Sequence, residues 1–173
     1  VFIKQGMNLR WDSDKTIEEM VNQGVRNAYL DKGNPLRASI VKNPISERLN
    51  TKDNSPAVVH VSLVPGGDLD ISIAAKGAGS ENKAVLGMLN PSDNIVDFVL
   101  GEIPKMGAGW CPPGVLGIGI GGTADKAMVM AKESLFETID IQELKKRGPS
   151  NKIESLRVEL YEKINLLGIG AQG

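Results

Sequence analysis

The chain is poorest in the residues that build metal centres, disulfides and base-stacking platforms. It has one cysteine and one histidine in 173 residues. A single cysteine excludes an internal disulfide framework, and a reducing, cytoplasmic setting is the simplest context for it. Alone it cannot assemble a zinc or iron–sulfur site, which takes several thiolates or imidazoles. Aromatic residues make up 4% of the chain, too few for a stacking surface on single-stranded nucleic acid. Net charge is -1, so no basic field points to nucleic acid or an anionic membrane. No apolar run approaches the roughly 20 residues that span a bilayer. The chain also lacks the charged-then-apolar order of a signal peptide. It opens on Val1 and closes on Gly173 inside "GIGAQG", which reads as a fragment trimmed at both ends.

What is present is ordinary globular material, 41% hydrophobic and 24% charged, enough for one domain over 1–173. Thr16 and Glu19 form a capping box, and Ile17, Met20, Val21, Gly24, Val25 and Ala28 follow at helical spacing. Leu63, Val61 and Val59, then Leu69, Ile71 and Ile73, alternate with more polar residues on either side of Pro65-Gly66-Gly67. That pattern predicts two strands and a bend, each strand with an apolar face for helices to cover. Asn90-Pro91 predicts a helix start, with Ile95, Val96, Val99 and Ile103 inward. "VLGIGI" is a strand candidate, and Thr123 can cap a helix facing inward through Ala124, Ala127, Met128, Ala131 and Leu135. "KKRGPSNK" predicts a charged loop, the weakest interior point near 145–150. A last helix from about Asn151 turns Ile153, Leu156, Leu160, Ile164 and Leu167 inward and ends at Gly168. The fold class is therefore α/β of the mixed α+β kind, with short-stranded sheets covered by several helices.

Four stretches carry candidate chemistry. Gly117, Gly119 and Gly122 match G-x-G-x-x-G before a helix, and Asp140 follows at a spacing that suits a ribose contact. "CPPG" interrupts the strand such a motif needs, and a tight structural turn is the commoner explanation. Cys111 sits in "GWCPPG", where Pro112 and Pro113 stiffen the chain and Gly107, Gly109 and Gly114 leave room for a bulky group. His60, mid-strand on a polar face, makes no convincing base for it. "KGAGSENK" offers Gly77 and Gly79 for positive φ, with Lys76 and Lys83 beside exposed amides. An anion seat and a solvated turn fit it equally well. Arg37 follows a proline turn, where a guanidinium can grip a carboxylate or simply face solvent.

The pieces "GVRNAY", "KGAGSENK", "GAGWCPPG", "GIGIGGT", "KESL" and "GIGAQ", in that order along nearly the whole chain, resemble the α region of the iron–sulfur hydro-lyases. These are class I fumarate hydratase and its relative L-tartrate dehydratase. The resemblance implies a [4Fe-4S] cluster held by three cysteines, whose open iron acts on a small dicarboxylate substrate. On that resemblance Cys111 matches the middle cluster ligand, Arg37 a carboxylate-binding arginine, and Gly79 a glycine whose backbone meets the substrate. The other two cysteines and the catalytic acid would lie outside 1–173, and the base in a β region or subunit. No catalytic residue falls within this chain, which alone is expected to be incomplete and inactive. The family further implies a likeness to homo-oligomers, with no nucleic acid and no membrane involved. Interconversion of fumarate and malate, a step of the tricarboxylic acid cycle, is the favoured reaction and tartrate dehydration the second. A nucleotide-dependent enzyme using Gly117–Gly122 and a non-catalytic assembly domain are the readings from other classes.

Overall fold

The computed structural model describes residues 1–170, so the end of "GIGAQ" lies outside the described residues. The chain divides into two compact units, Val1–Gly77 and Ala78–Gly173. Both mix helices with short extended segments, as the sequence predicts.

The first unit is built on β1 (Phe2–Gly6), α1 (Ile17–Leu30), β2 (Val41–Lys42), β3 (Leu49–Asn50), β4 (His60–Val64) and β5 (Leu69–Ser72). β1 lies at the centre of a three-stranded sheet of order β4-β1-β5, parallel to β4 and antiparallel to β5. The two strands read from the sequence are thus its edges, and "FIKQG" was not recognisable as the strand between them. Ile3 pairs with Val61 on one side and Ile71 on the other, and Gln5 with Leu63 and Leu69. Ile3 is buried, while Val61, Leu63 and Ile71 are 45%, 68% and 44% exposed. Gly6 allows the Pro65–Asp68 bend to close over β1: a Cβ at Gly6 would strike the Gly66 carbonyl, and Gly6 N–H donates to Asp68 O at 2.8 Å. His60 opens β4 instead of standing mid-strand, and its ring stacks on Phe2 at 4.7 Å, which half-buries it.

Helix α1 starts where the capping box places it. Thr16 Oγ1 accepts from Glu19 N–H at 3.2 Å, and Glu19 Oε2 accepts from Thr16 N–H at 2.7 Å. That second bond is the leading reason the Glu19 carboxyl titrates below its usual range. Arg26 reaches across to the 53–55 turn, donating to Ser55 Oγ at 3.2 Å and pairing with Asp53 at 3.5 Å.

The second unit holds α2 (Ala78–Glu81), α3 (Ile95–Met106), α4 (Ala124–Glu133), a 3₁₀ turn (Ser134–Phe136), α5 (Ile141–Arg147) and α6 (Lys152–Asn165). α3 starts four residues later than Asn90-Pro91 suggests. Asn90 and Asp93 close a turn of their own, Asp93 Oδ2 accepting from Asn90 N–H at 2.7 Å. Asn94 then caps the helix by accepting from Val96 N–H at 2.8 Å. Residues 145–147 of "KKRGPSNK" are the last turn of α5, not loop. Arg147 donates to both carboxylate oxygens of Glu154, at 2.9 and 2.6 Å. This fork, with Ser150, holds the Glu154 carboxyl down to about 2. α6 packs against α3 and α5, with Leu160, Ile103 and Leu144 buried, while Ile153 at its N-terminal end is exposed.

Among the described residues only Ile3, Val96, Ile103, Leu144 and Leu160 are fully buried apolar side chains. The chain exposes 12437 Å². Two separate compact bodies of these lengths would expose about 9,900 Å².

Candidate functional site

The second unit brings together two stretches that the sequence shows only as separate motifs. One is 78–83, the other the turn after α3. Gly107 ends α3 with φ +63°. Trp110 then folds back: its indole Nε1–H donates to Gly107 O at 2.7 Å, and its ring lies over Gly114, where a Cβ would collide with it. The 107–114 segment is therefore closed on its own tryptophan, and Cys111 within it is exposed. The room that Gly114 makes is taken by Trp110, not by a ligand. Sequence reasoning missed this ring, although glycines three before and four after the tryptophan were the available signal.

Against this turn lie residues 78–83 of the KGAGSENK segment. Gly77 and Gly79 do not adopt positive φ, contrary to the expectation from sequence. Gly79 lies in the single turn of α2, and its need for glycine is steric. A Cβ there would stand 2.9 Å from Gly109 O. Gly109 in turn faces Lys83, whose Cε and Nζ would lie 3.0 and 3.3 Å from a Cβ at 109. Two missing side chains thus let the two segments touch backbone to backbone, with a lysine laid along the contact.

The GIGIGGT stretch forms no strand among the described residues. It runs extended along α4 instead. A Cβ at Gly117 would strike Ala131 O, and one at Gly119 would strike Ala127 O. A helix flank, not a strand ladder, receives it, because these glycines allow backbone contact that larger residues forbid. Gly121 and Gly122 then turn with φ +86° and +75° into Thr123. Thr123 holds the N-cap position but makes no side-chain capping bond. Its hydroxyl instead helps hold the Asp125 carboxyl below its usual range. Asp140 does cap a helix: its carboxylate accepts from Glu143 N–H at 2.9 Å at the start of α5. All the features of the nucleotide motif therefore have packing or capping work in this fold.

Arg37 belongs to the first unit, in the extended segment between α1 and β2, and is exposed. It makes no side-chain ion pair among the described residues. Gly79 and Cys111 belong to the second unit.

The family model for fumarate hydratase (fumerase) matches residues 1–173. The chain belongs to the fumarate hydratase family. A putative L(+)-tartrate dehydratase subunit alpha from Methanocaldococcus jannaschii is 42% identical over 100% of this chain and 60% of its own length. The L(+)-tartrate dehydratase subunit alpha of Escherichia coli O157:H7 is 29% identical over 91% of this chain and 51% of its own length. That of Shigella sonnei is 28% identical over the same shares. This fumarate hydratase family chain thus spans between half and three-fifths of the curated relatives it matches. No helix among its described residues is long and apolar enough to cross a membrane.

A [4Fe-4S] cluster needs more thiolates than this chain holds. Among the described residues no group of three or more His, Cys, Asp or Glu side chains is placed to hold a metal. The residues present do not by themselves fit the cluster.

Proposed function

We propose that this chain is part of the α region of a hydro-lyase that reversibly adds water to fumarate to give malate. Membership of the fumarate hydratase family supports this reading. The observation that carries it is the backbone contact between Gly79 and Gly109, which seats residues 78–83 against the turn that exposes Cys111. In this reading Cys111 is one of three cluster thiolates, the others lying outside 1–173, and Gly79 offers backbone to the substrate. Arg37 binds a substrate carboxylate, for which an unpaired, exposed guanidinium is chemically suited. The general acid, the base and a β region or subunit complete the machinery, so this chain alone is inactive. The enzyme is cytoplasmic and acts as a homo-oligomer.

L(+)-tartrate is the second candidate substrate, favoured by the names of the relatives. Assaying the assembled enzyme on fumarate, malate and L(+)-tartrate decides between them, and inactivity on all three refutes the hydro-lyase reading. In that enzyme Arg37→Ala should lower kcat/KM by about tenfold to a hundredfold, the cost of a charge-assisted bond of 1.5–3 kcal/mol. Arg37→Lys should recover only part of it, because an ammonium lacks the planar fork. Unchanged kcat/KM in Arg37→Ala removes Arg37 from the site.

A further inference from the structure

The stretch that carries Arg37 lies between α1 and β2, outside any helix or strand, yet its backbone is tied on both sides. Upstream, Asn34 reaches two ways. Its Nδ2–H donates to Ala28 O in α1 at 2.6 Å, and its Oδ1 accepts from Leu36 N–H at 2.9 Å. Downstream, Asn50 Nδ2–H donates to Ala38 O at 2.8 Å. Asn54 Oδ1 accepts from Ser39 N–H at 2.8 Å and from Ile40 N–H at 3.3 Å. Leu36, Arg37 and Ser39 are exposed, so burial holds this stretch only weakly and the polar bonds do most of it.

The downstream clamp grows out of the β2–β3 ribbon. Thr51 N–H donates to Ile40 O at 2.9 Å, one step beyond the paired residues. Lys52 and Asn54 then take φ +65° and +53°, and the chain leaves the ladder. Side-chain amides take over where backbone pairing stops. Asparagine suits position 54 twice. It tolerates the left-handed region, and its amide oxygen stands in for a strand carbonyl. The turn is itself anchored on α1. Ala57 N–H donates to Asn22 Oδ1 at 2.7 Å, and Arg26 holds Asp53 and Ser55. A continuous path of hydrogen bonds thus runs from α1 through 53–57 to the three residues that follow Arg37.

We propose that Asn54 is a positioning residue for Arg37: by fixing Ser39 and Ile40 on the 50–54 turn, it presents the Arg37 guanidinium to a carboxylate of the substrate. The inference rests on the hydro-lyase reading for the role of Arg37. Asn54 acts through Arg37 and not on the ligand. A backbone already held in place leaves less freedom to lose when the ligand binds, which raises affinity without a new contact.

The test is calorimetric titration of the assembled enzyme with succinate, a saturated dicarboxylate with no double bond to hydrate, beside the reaction assay. Asn54→Gly keeps the left-handed backbone and removes the amide. It should weaken succinate binding about twofold to tenfold, the equivalent of one neutral hydrogen bond, and raise KM more than it lowers kcat. Asn54→Asp keeps an acceptor and should recover most of the binding. In the Arg37→Ala background Asn54→Gly should cost nothing further, because no guanidinium is left to place. Wild-type succinate binding in Asn54→Gly, even with a lowered melting temperature, overturns the proposal, and so does a full separate loss on top of Arg37→Ala. If circular dichroism shows that Asn54→Gly does not fold, Asn50→Ala, which removes the Ala38 bond, is read in the same way. The two claims fail separately. Weak binding in Arg37→Ala with unaltered binding in Asn54→Gly, in an active enzyme, keeps the hydro-lyase reading and removes Asn54. Non-additive loss of succinate binding in an enzyme inactive on fumarate, malate and L(+)-tartrate does the reverse.

Discussion

Cys111→Ser in the assembled enzyme should leave the fold intact, strip most of the bound iron and reduce turnover by about a thousandfold or more. The fold half follows from exposure. Cys111 is exposed on a segment closed by Trp110 and Gly107, and exposed substitutions of similar size usually shift stability by less than about 0.5 kcal/mol. The chemical half follows from the proposed ligand role. Iron–sulfur clusters are held by cysteine sulfur, and a serine oxygen is a poor replacement for it. In the complete enzyme a cluster would supply Lewis-acid chemistry, and losing several kcal/mol of it would cost about tenfold in rate for each 1.36 kcal/mol. The measurements are iron and sulfide content, circular dichroism, and fumarate absorbance. A serine variant with full iron and full activity removes Cys111 from the centre.

Gly119→Val should be the most damaging change to stability. The Cβ of valine would fall on Ala127 O, with Ala131 N only 2.8 Å away. Both obstacles are helix backbone, so neither moves without breaking α4. Overpacking of this kind costs about 3 kcal/mol, which lowers the melting temperature by about 12–24 °C in a unit the size of Ala78–Gly173. Gly121, which has nothing within 4 Å of its Cβ position, is the control: alanine there meets only the strain of φ +86°. Comparable melting of Gly119→Val and wild type would show that the GIGIGGT segment does not lie on α4. Nucleotide affinity lost with the substitution would instead return the segment to a phosphate-binding role.

The parts of this fold that were legible in the sequence are those whose signals are local. The capping box at Thr16 and Glu19, the bend at Pro65–Gly67 and the start of the last helix near Asn151 each depend on residues within a few positions of one another. The centre of the sheet was not legible, because "FIKQG" is short and its partners are some sixty residues away. α5 was hidden for another reason. Its seven residues end in three basic side chains that resemble a loop until Glu143 and Glu154 are seen to hold Arg147. In the candidate site the motifs themselves stood out, but their use did not. Glycine reads as backbone freedom, whereas Gly79, Gly109, Gly117 and Gly119 serve close approach, which depends on what stands opposite.

The apolar rows of the three-stranded sheet have a thermodynamic consequence. Unfolding raises heat capacity in proportion to the apolar surface it newly wets, ordinarily about 12–15 cal/mol/K per residue. Here Val61, Leu63 and Ile71 are already wet in the folded chain, and the 12437 Å² it exposes leaves less to gain. The isolated chain should therefore show a heat-capacity step below that range and a shallow urea slope. Its stability would vary little with temperature, from cold to warm. Anything that seats on those rows would make the stability curve bend more sharply, and scanning calorimetry would register its arrival as curvature before any other probe of the sheet responded.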